Sequence, residues 1–221
     1  MCGLFAPLSR NVVYKLWVKG LIFSFLTLLG GCQQPTPPEG VLRVHLPVEP
    51  TSLDPAQAHT LANIWATQQF YTTLVKLDNQ LQVQPSLAKR WEVTDSGRSY
   101  RFFLGKHQRF PEHPRLQTGR YARAQDVSVS LHRILHPETA SPSAALLSNR
   151  LVGAAHYAAG DSAHIPGIVV QNDSVLDLCL NEAFPPFLSL LAMPFASVLP
   201  YEIVDDPEAS ELLNRQPVGA G

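Results

Sequence analysis

Cysteine is scarce in this sequence of 221 residues, which contains three of them, Cys2, Cys32 and Cys179. Of these, Cys179 alone lies in the part of the chain whose composition suits a folded domain. The sequence therefore excludes the disulfide framework that stabilises many small exported domains. A single free cysteine behaves as a small apolar side chain, and we expect Cys179 to be buried.

An excess of charge of either sign is also lacking. Lys and Arg contribute 17 residues against 18 Asp and Glu, which gives a formal net charge of −1. A nucleic-acid-binding surface needs a concentration of basic side chains, so we expect no nucleic acid partner. Hydrophobic residues make up 45% of the chain, an ordinary share for a protein that buries a core. The 19 prolines favour short elements and many turns.

No apolar run in the sequence approaches the roughly 20 residues that a membrane-spanning helix needs. The apolar run near the N-terminus, Leu21 to Leu29, is much shorter and follows the basic residues Arg10, Lys15 and Lys19. A basic segment, then a short apolar segment and small residues, is typical of an export signal. The sequence therefore predicts an exported protein.

A cysteine follows this signal directly, in the order Leu29, Gly30, Gly31 and Cys32. These four residues resemble the lipobox of bacterial lipoproteins, in which the cysteine thiol receives a diacylglycerol and the signal is cut before it. The resemblance implies a signal peptide over residues 1–31, lipid attachment at Cys32, and anchoring to the lipid bilayer on the periplasmic or cell-surface face of a bacterial membrane. An ordinary signal followed by a chance cysteine is the alternative. Residues 32–40 are rich in proline and predict an extended tether.

Hydrophobic periodicity and turn residues predict short strands and separate helices along the rest of the chain. The predicted strands are Val41–Leu46, Leu74–Leu77, and two hairpins formed by Trp91–Thr94 with Ser99–Leu104 and by Ile168–Val170 with Val175–Leu180. The predicted helices are Thr60–Tyr71, one turn at Pro85–Arg90, Ala124–His136, Ala144–Leu151, Phe187–Ala192, and a last helix from the Asp206 cap to Asn214, with a loop at Lys106–Tyr121. Strands and helices do not alternate strictly, so the fold class is α+β.

Six short segments stand in a recognisable order over residues 41–221. They are Thr51–Pro55, Tyr71–Val75, Gln84–Val93 with its continuation through Phe102, Arg109-Phe110, Ala124–Val127 with Ser130 and Arg133, and Pro217–Gly221. Together they resemble the oligopeptide- and dipeptide-binding proteins of ABC importers, family 5 of the bacterial extracellular solute-binding proteins. Thr73 replaces a usual glycine, and Arg123 replaces a usual Ser or Thr cap, so the helix that follows is expected to be capped differently or to fray.

The resemblance implies a periplasmic-binding-protein-like fold of two lobes around a cleft. Family members are more than twice as long as this chain, so we expect the N-terminal half alone, as in a truncated or split reading frame. Residues 41–70 are expected to start lobe I, residues 71–192 to form an inserted small domain, and residues 193–221 to return to lobe I. The implied function is that of a substrate-binding lipoprotein, not an enzyme, that captures a peptide ligand and delivers it to ABC permease subunits. No cofactor is expected.

Peptide binding in the resembling family works by strand addition, in which the ligand backbone pairs with the backbone of the receptor. The matching ligand-binding residues here are His59, Thr60 and Leu61, and the alternative is a plain loop before a helix. We expect Asp54 to accept hydrogen bonds within its turn, rather than to be catalytic. We expect Asp126 to favour the positive end of its helix dipole.

Other functions leave weaker traces in the sequence. His132 and His136 stand four residues apart on one predicted helix, a spacing that allows two imidazoles to share a metal in a hydrolase. No Glu follows His132 and no third ligand is evident, so we expect solvated polar positions and no metal site, and the same for His107 and His113. Alternative hypotheses are an inert product of a split gene and a receptor for nickel, haem or a sugar.

Overall fold

The structure, a computed structural model, describes residues 45–46, 48–116 and 120–221. The predicted signal peptide, Cys32, the tether and most of the strand predicted for Val41–Leu46 lie outside the described residues. Residues 46–221 pack as one unit, within which the lobe and inserted-domain boundaries stay predictions. Among the described residues, no helix has the length and apolar character needed to cross a membrane.

Six strands and seven α-helices are described, and four short 3-10 helices connect some of them. The strands are β1 (Val75–Leu77), β2 (Val83–Pro85), β3 (Ala88–Thr94), β4 (Ser99–Leu104), β5 (Ile168–Asn172) and β6 (Val175–Cys179). The α-helices are α1 (Leu61–Thr67), α2 (Ala124–Leu135), α3 (Ala144–Ser148), α4 (Ala154–Ala158), α5 (Phe187–Leu191), α6 (Tyr201–Val204) and α7 (Ala209–Arg215). The 3-10 helices are Pro55–Gln57, Asp95–Gly97, Pro137–Thr139 and Pro194–Ala196. This mixture confirms the predicted α+β class.

The main sheet is antiparallel, with strand order β3-β4-β6-β5, and both of its predicted hairpins are confirmed. Strand β4 alternates as a half-buried strand should: Tyr100, Phe102 and Leu104 are buried in the core. Arg101 faces the other side and forms a bidentate pair with Asp177 of β6, at 2.7 and 2.8 Å. Strands β1 and β2 form a separate two-stranded sheet.

Helix α2 lays one apolar face on the core, with Val127, Leu131, Ile134 and Leu135 all buried. Its first turn is capped from inside the helix, because the Asp126 carboxylate accepts a hydrogen bond from the backbone N–H of residue 123 at 2.7 Å. The start of the helix is therefore capped even though Arg123 replaces the usual Ser or Thr. Pro137 follows helix α2 and stops it, as predicted.

One predicted helical turn is wrong. Residues Pro85–Arg90 belong to the ends of β2 and β3, because long-range pairing decides their conformation over local preference. Pro85 lies opposite Val75 in the small sheet, and the N–H of Ala88 donates to the carbonyl of Leu74 at 2.9 Å.

Several boundaries also differ from the predictions. Helix α1 ends at Thr67, four residues before the predicted Tyr71, and α3 ends at Ser148 instead of Leu151. Helix α7 begins at Ala209, because the Asp206 carboxylate accepts from the N–H of Glu208 and caps the turn before the helix. The expectation of a buried Cys179 is wrong, since its side chain is partly exposed at the end of β6.

Candidate functional site

The three residues expected to bind ligand are exposed and lie between the 3-10 helix Pro55–Gln57 and helix α1. Thr60 has an extended backbone (φ −92°, ψ 153°), and its hydroxyl oxygen accepts from the N–H of Asn63 at 3.3 Å, which caps α1. The side chain of Thr60 thus starts a helix while its backbone keeps the geometry of a strand.

Backbone groups at this segment are available to a ligand. Among the described residues, the carbonyl oxygen of His59 and the N–H groups of Thr60 and Leu61 have no hydrogen-bond partner. The Leu61 N–H is the first donor of α1, and such donors lack a partner inside their own helix. In an extended segment, a carbonyl and the N–H two residues later face the same side, the arrangement a paired strand uses. His59, Thr60 and Leu61 can therefore pair with a peptide backbone.

The turn before this segment is held by a buried carboxylate. Oδ1 of Asp54 accepts from the N–H of Ala56 at 3.0 Å, which confirms its predicted role as a turn acceptor. Sequence reasoning missed its larger role: Arg133 of α2 donates to both carboxylate oxygens, at 2.8 and 2.6 Å, and Ser210 of α7 donates to Oδ2 at 2.8 Å. Asp54 is fully buried, and this bidentate pair fixes the turn against two helices.

Two asparagines hold the chain that leads into the turn. The side-chain oxygen of Asn214, in α7, accepts from the N–H of Leu53 at 2.7 Å and from the hydroxyl of Ser52 at 2.8 Å. The side-chain oxygen of Asn63, in α1, accepts from the N–H of Thr51 at 2.9 Å. The strand-like segment His59–Leu61 is therefore preceded by an anchored stretch rather than a free loop.

Two further bonds tie the same stretch to the chain after α2. The hydroxyl of Ser141 donates to the carbonyl of Ala56 at 2.6 Å, and the side-chain amide of Gln57 donates to the carbonyl of Thr139 at 2.7 Å. These contacts fix the exit of the turn two residues before the candidate site.

An exposed apolar face adjoins the candidate site on helix α1. Leu61 is 56% exposed and Trp65, one helical turn later, is 41% exposed. Residues four apart in a helix lie on the same side, so both side chains present one surface beside the extended segment.

The C-terminal residues pack against the end of the same region. The N–H of Gly221 donates to the carbonyl of Phe70 at 3.2 Å, and Val218 is buried. A Cβ on Gly219 would lie 2.0 Å from the Phe70 carbonyl oxygen, so glycine is required for this close approach. The last residues of the sequence therefore contact the residues that follow helix α1.

Asp126 has the structural role that was predicted for it, in a buried charge cluster. Arg120 donates to both oxygens of Asp126 and to both oxygens of Glu202, and the N–H of Tyr201 donates to Asp126 at 3.0 Å. Burial acts to lower the pKa of Arg120, but the hydrogen bonds with the two carboxylates outweigh it and raise the pKa. Burial acts to raise the pKa of Glu202, and the hydrogen bonds from Arg120 outweigh it and lower the pKa.

The histidine pair does not form a metal-binding arrangement. Both ring nitrogens of His132 already have partners, the carbonyl of Ser128 at 2.8 Å and the N–H of Ile165 at 3.3 Å. The Nδ1 of His136 accepts from the N–H of Glu138 at 3.3 Å. The expectation of a solvated position holds for the exposed His136 but is wrong for the half-buried His132, whose ring packs against α4.

The two histidines of the loop, His107 and His113, also differ in their exposure to solvent. His107 is exposed, as expected, and its Nε2 lies 3.1 Å from the carbonyl of Ser86. The expectation is wrong for His113, which is buried, and whose Nδ1 accepts from the N–H of Arg115 at 3.2 Å. The carbonyl of His113 also accepts from the N–H of Leu116 at 2.9 Å, so the loop turns at this residue.

Comparison with known proteins places this chain in a family. The family model for the bacterial extracellular solute-binding proteins, family 5 (middle region), matches residues 82–221. A probable deoxycholate-binding periplasmic protein (YgiS) of Escherichia coli strain K12 is 26% identical over 200 residues, covering 89% of this chain and 36% of its own length. A probable di/tripeptide-binding protein (number 5) of Pseudomonas aeruginosa strain UCBPP-PA14 is 31% identical over 189 residues, covering 81% and 34%.

A solved structure agrees with these sequence relatives. The Escherichia coli murein tripeptide binding protein MppA superposes with a TM-score of 0.66 at 26% identity, covering 78% of this chain and 33% of its own. The chain belongs to the family 5 bacterial extracellular solute-binding proteins, whose members are binders rather than enzymes. It spans about a third of the length of the relatives that it matches.

Proposed function

We propose that this chain supplies one wall of the ligand-binding cleft of a substrate-binding lipoprotein, which captures peptides outside the inner membrane and passes them to ABC permease subunits. The observation that carries the proposal is the strand-like segment His59–Leu61, with backbone groups that no other described residue uses. Strand addition depends on the ligand backbone and tolerates many side chains, which suits a peptide receptor.

The proposed domain organisation is supported by the contacts of the chain ends. Residues 41–70 and 193–221 would form the part of lobe I that is present, with residues 71–192 inserted between them. The N–H of Val198 donates to the carbonyl of Thr72 at 2.8 Å, and Val218 to Gly221 lie against Phe70 and Tyr71. Both contacts bring residues after 192 against residues 70–72, where the proposed first segment of lobe I ends and the proposed inserted domain begins.

Export and anchoring complete the proposal. Relatives are described as periplasmic, which supports an exported location for this chain. The lipobox-like Leu29–Cys32 supports a mature N-terminus at Cys32 with a diacylglycerol on its thiol. The role is binding and delivery, with no reaction and no cofactor assigned to the chain.

A second candidate ligand is a bile-salt-like amphiphile. It is favoured by one observation, the match over 89% of this chain to a protein described as probably deoxycholate-binding. The exposed apolar face of Leu61 and Trp65 would suit the steroid, whereas the free backbone groups favour the peptide. A titration that compares the two ligands separates these candidates.

The experiment is a titration followed by amide NMR. The full chain in detergent micelles is titrated with an alanine tripeptide and, separately, with deoxycholate. The proposal predicts saturable shifts in the amides of Thr60 and Leu61 with the peptide. Saturable shifts at Leu61 and Trp65 with deoxycholate, together with none at Thr60 with the peptide, would favour the second candidate. Peptide-induced shifts elsewhere, with none at His59–Leu61, would contradict the proposed site.

A further inference from the structure

The imidazole of His132 joins helix α2 to the segment Asp161–Gly167, which follows helix α4. Its Nδ1 lies 2.8 Å from the carbonyl oxygen of Ser128, one turn earlier in α2. Its Nε2 lies 3.3 Å from the backbone nitrogen of Ile165, in the facing segment. The ring of Tyr157, in α4, meets the imidazole edge-to-face, with ring centroids 5.2 Å apart.

These two partners fix the protonation of the ring. A backbone carbonyl can only accept, so Nδ1 must carry the hydrogen, and a backbone N–H can only donate, so Nε2 must offer its lone pair. A neutral imidazole satisfies both requirements in one tautomer. A protonated imidazolium carries a hydrogen on both nitrogens, and its Nε2–H would then point at the N–H of Ile165.

We propose that His132 is a pH-sensitive latch, which holds Ile165 of the segment Asp161–Gly167 on helix α2 while its imidazole is neutral and releases Ile165 when the ring is protonated. The latch fastens Ile165, whose side chain is buried in the core. Gly167 has its own bonds, because its N–H donates to Val152 and its carbonyl accepts from Cys179. Release is therefore expected to begin at Ile165 and to leave Gly167 in place.

The surroundings of the ring support the neutral state. Burial is the largest cause of a lowered His132 pKa, the bond to Ser128 opposes it, and the nearby His164 lowers the pKa further. His132 lines a cleft of about 480 Å³. The other titratable or charged side chains that line this cleft are Arg133 and His136 on α2, Glu138, Tyr157, and Asp205 with Asp206 before α7. Arg133 is neutralised by Asp54, and Asp206 pairs with Arg115.

The sign of the pH dependence follows from the lowered pKa. The open state has an ordinary histidine pKa of about 6.5, and the closed state has a lower one. Protonation therefore favours the open state, and the closed state loses stability as the pH falls below about 6.5. The opening equilibrium approaches a tenfold rise per pH unit until the closed-state pKa is reached.

The first test reads the ring itself in the unmodified protein. Imidazole nitrogen NMR of the full chain in detergent micelles at pH 7.5 should show the Nδ1–H tautomer for His132, with a titration midpoint below that of an exposed histidine. The Nε2–H tautomer, or a midpoint at or above about 6.5, would overturn the proposal. This measurement needs no variant and so does not depend on any variant folding.

The second test reads the segment. Amide hydrogen exchange at Ile165, corrected for the intrinsic rate, should become faster as the pH falls. The increase should approach tenfold per pH unit between about pH 6.5 and the His132 pKa of the closed state. Gly167 should show no such change. His132→Gln should remove the pH dependence, and the matched control His136→Asn should retain it. Exchange at Ile165 that stays constant with pH, or a dependence that disappears in His136→Asn instead, contradicts the latch.

Discussion

The buried pair between Asp54 and Arg133 gives the sharpest prediction about the stability of this region. Arg133→Met keeps an unbranched apolar stem, similar in length to the methylene part of arginine, but removes the guanidinium. The Asp54 side chain is fully buried and the Arg133 side chain is 7% exposed. The variant therefore leaves the Asp54 carboxylate buried without its charged partner. Leaving one partner of a buried pair uncompensated costs about 3–5 kcal/mol, so we expect the free energy of unfolding to fall by that amount.

The sheet offers a matched control with the same bond geometry. Arg101 also makes a bidentate pair, with Asp177, but its side chain is 50% exposed. The Asp177 side chain is 12% exposed and keeps the hydrogen bond from the side-chain amide of Gln171 at 2.8 Å, so Arg101→Met should cause a smaller loss. Urea denaturation of the full chain, followed by tryptophan fluorescence, compares both variants with the unmodified protein.

A double variant identifies the source of the loss. Asp54→Asn keeps an oxygen for the N–H of Ala56 while removing the charge. Combined with Arg133→Met, it should cost less than the sum of the single changes by more than about 1 kcal/mol, because no charge is left buried alone. If Arg133→Met costs no more than Arg101→Met, or if the effects of Arg133→Met and Asp54→Asn simply add, the buried Asp54 carboxylate does not depend on Arg133 for its compensation.

Three further predictions concern the anchor, the affinity and the C-terminal contact. The mature protein should begin at Cys32 with a diacylglycerol, and Cys32→Ala should leave the precursor uncut; intact mass of membrane-extracted protein decides, and an unmodified Cys32 contradicts the anchor. Peptides should bind this chain with a Kd of about millimolar or weaker, because it supplies one wall of the cleft and each 1.4 kcal/mol lost weakens binding tenfold. A micromolar Kd in calorimetry contradicts this prediction. Gly219→Ala should release the Gly221 amide to hydrogen exchange, since its Cβ would lie 2.0 Å from the Phe70 carbonyl oxygen; retained protection contradicts this.

Local patterns were enough to predict the elements whose signals are contained within a few residues. The Asp95–Gly97 and Asn172–Ser174 turns joined alternating segments and gave both hairpins, and the apolar spacing of Ala124–His136 gave helix α2. Pro85–Arg90 was mistaken for helix because its conformation is decided by pairing with residues about ten positions earlier and with β4. Local preference carries no information about such partners.

Local signals in the sequence predicted part of the candidate site. Asp54 before a proline signalled a turn acceptor, and the resemblance placed the ligand segment after that turn. The pair with Arg133 joins residues 79 positions apart, and Asn214 reaches Leu53 across 161 positions. Arg133 lies on the side of α2 away from its apolar residues, near Asp126 and Ser130, so no local pattern in the sequence distinguished it from a solvated side chain.

Peptide capture by the backbone of His59–Leu61 can be tested by removing a single backbone donor. Leu61 is the first residue of α1, a position where proline is well tolerated, and the extended Thr60 before it is compatible with a following proline. Leu61→Pro therefore deletes one N–H without breaking the helix, whereas Leu61→Ala removes the side chain and keeps the N–H.

The measurement is the NMR titration of both variants with an alanine tripeptide. We expect Leu61→Ala to keep saturable shifts at Thr60 and Leu61→Pro to bind the tripeptide about tenfold more weakly, as expected for the loss of one desolvated hydrogen bond. Equal peptide affinity in the two variants, with unchanged shifts at Thr60, would contradict backbone capture at this segment.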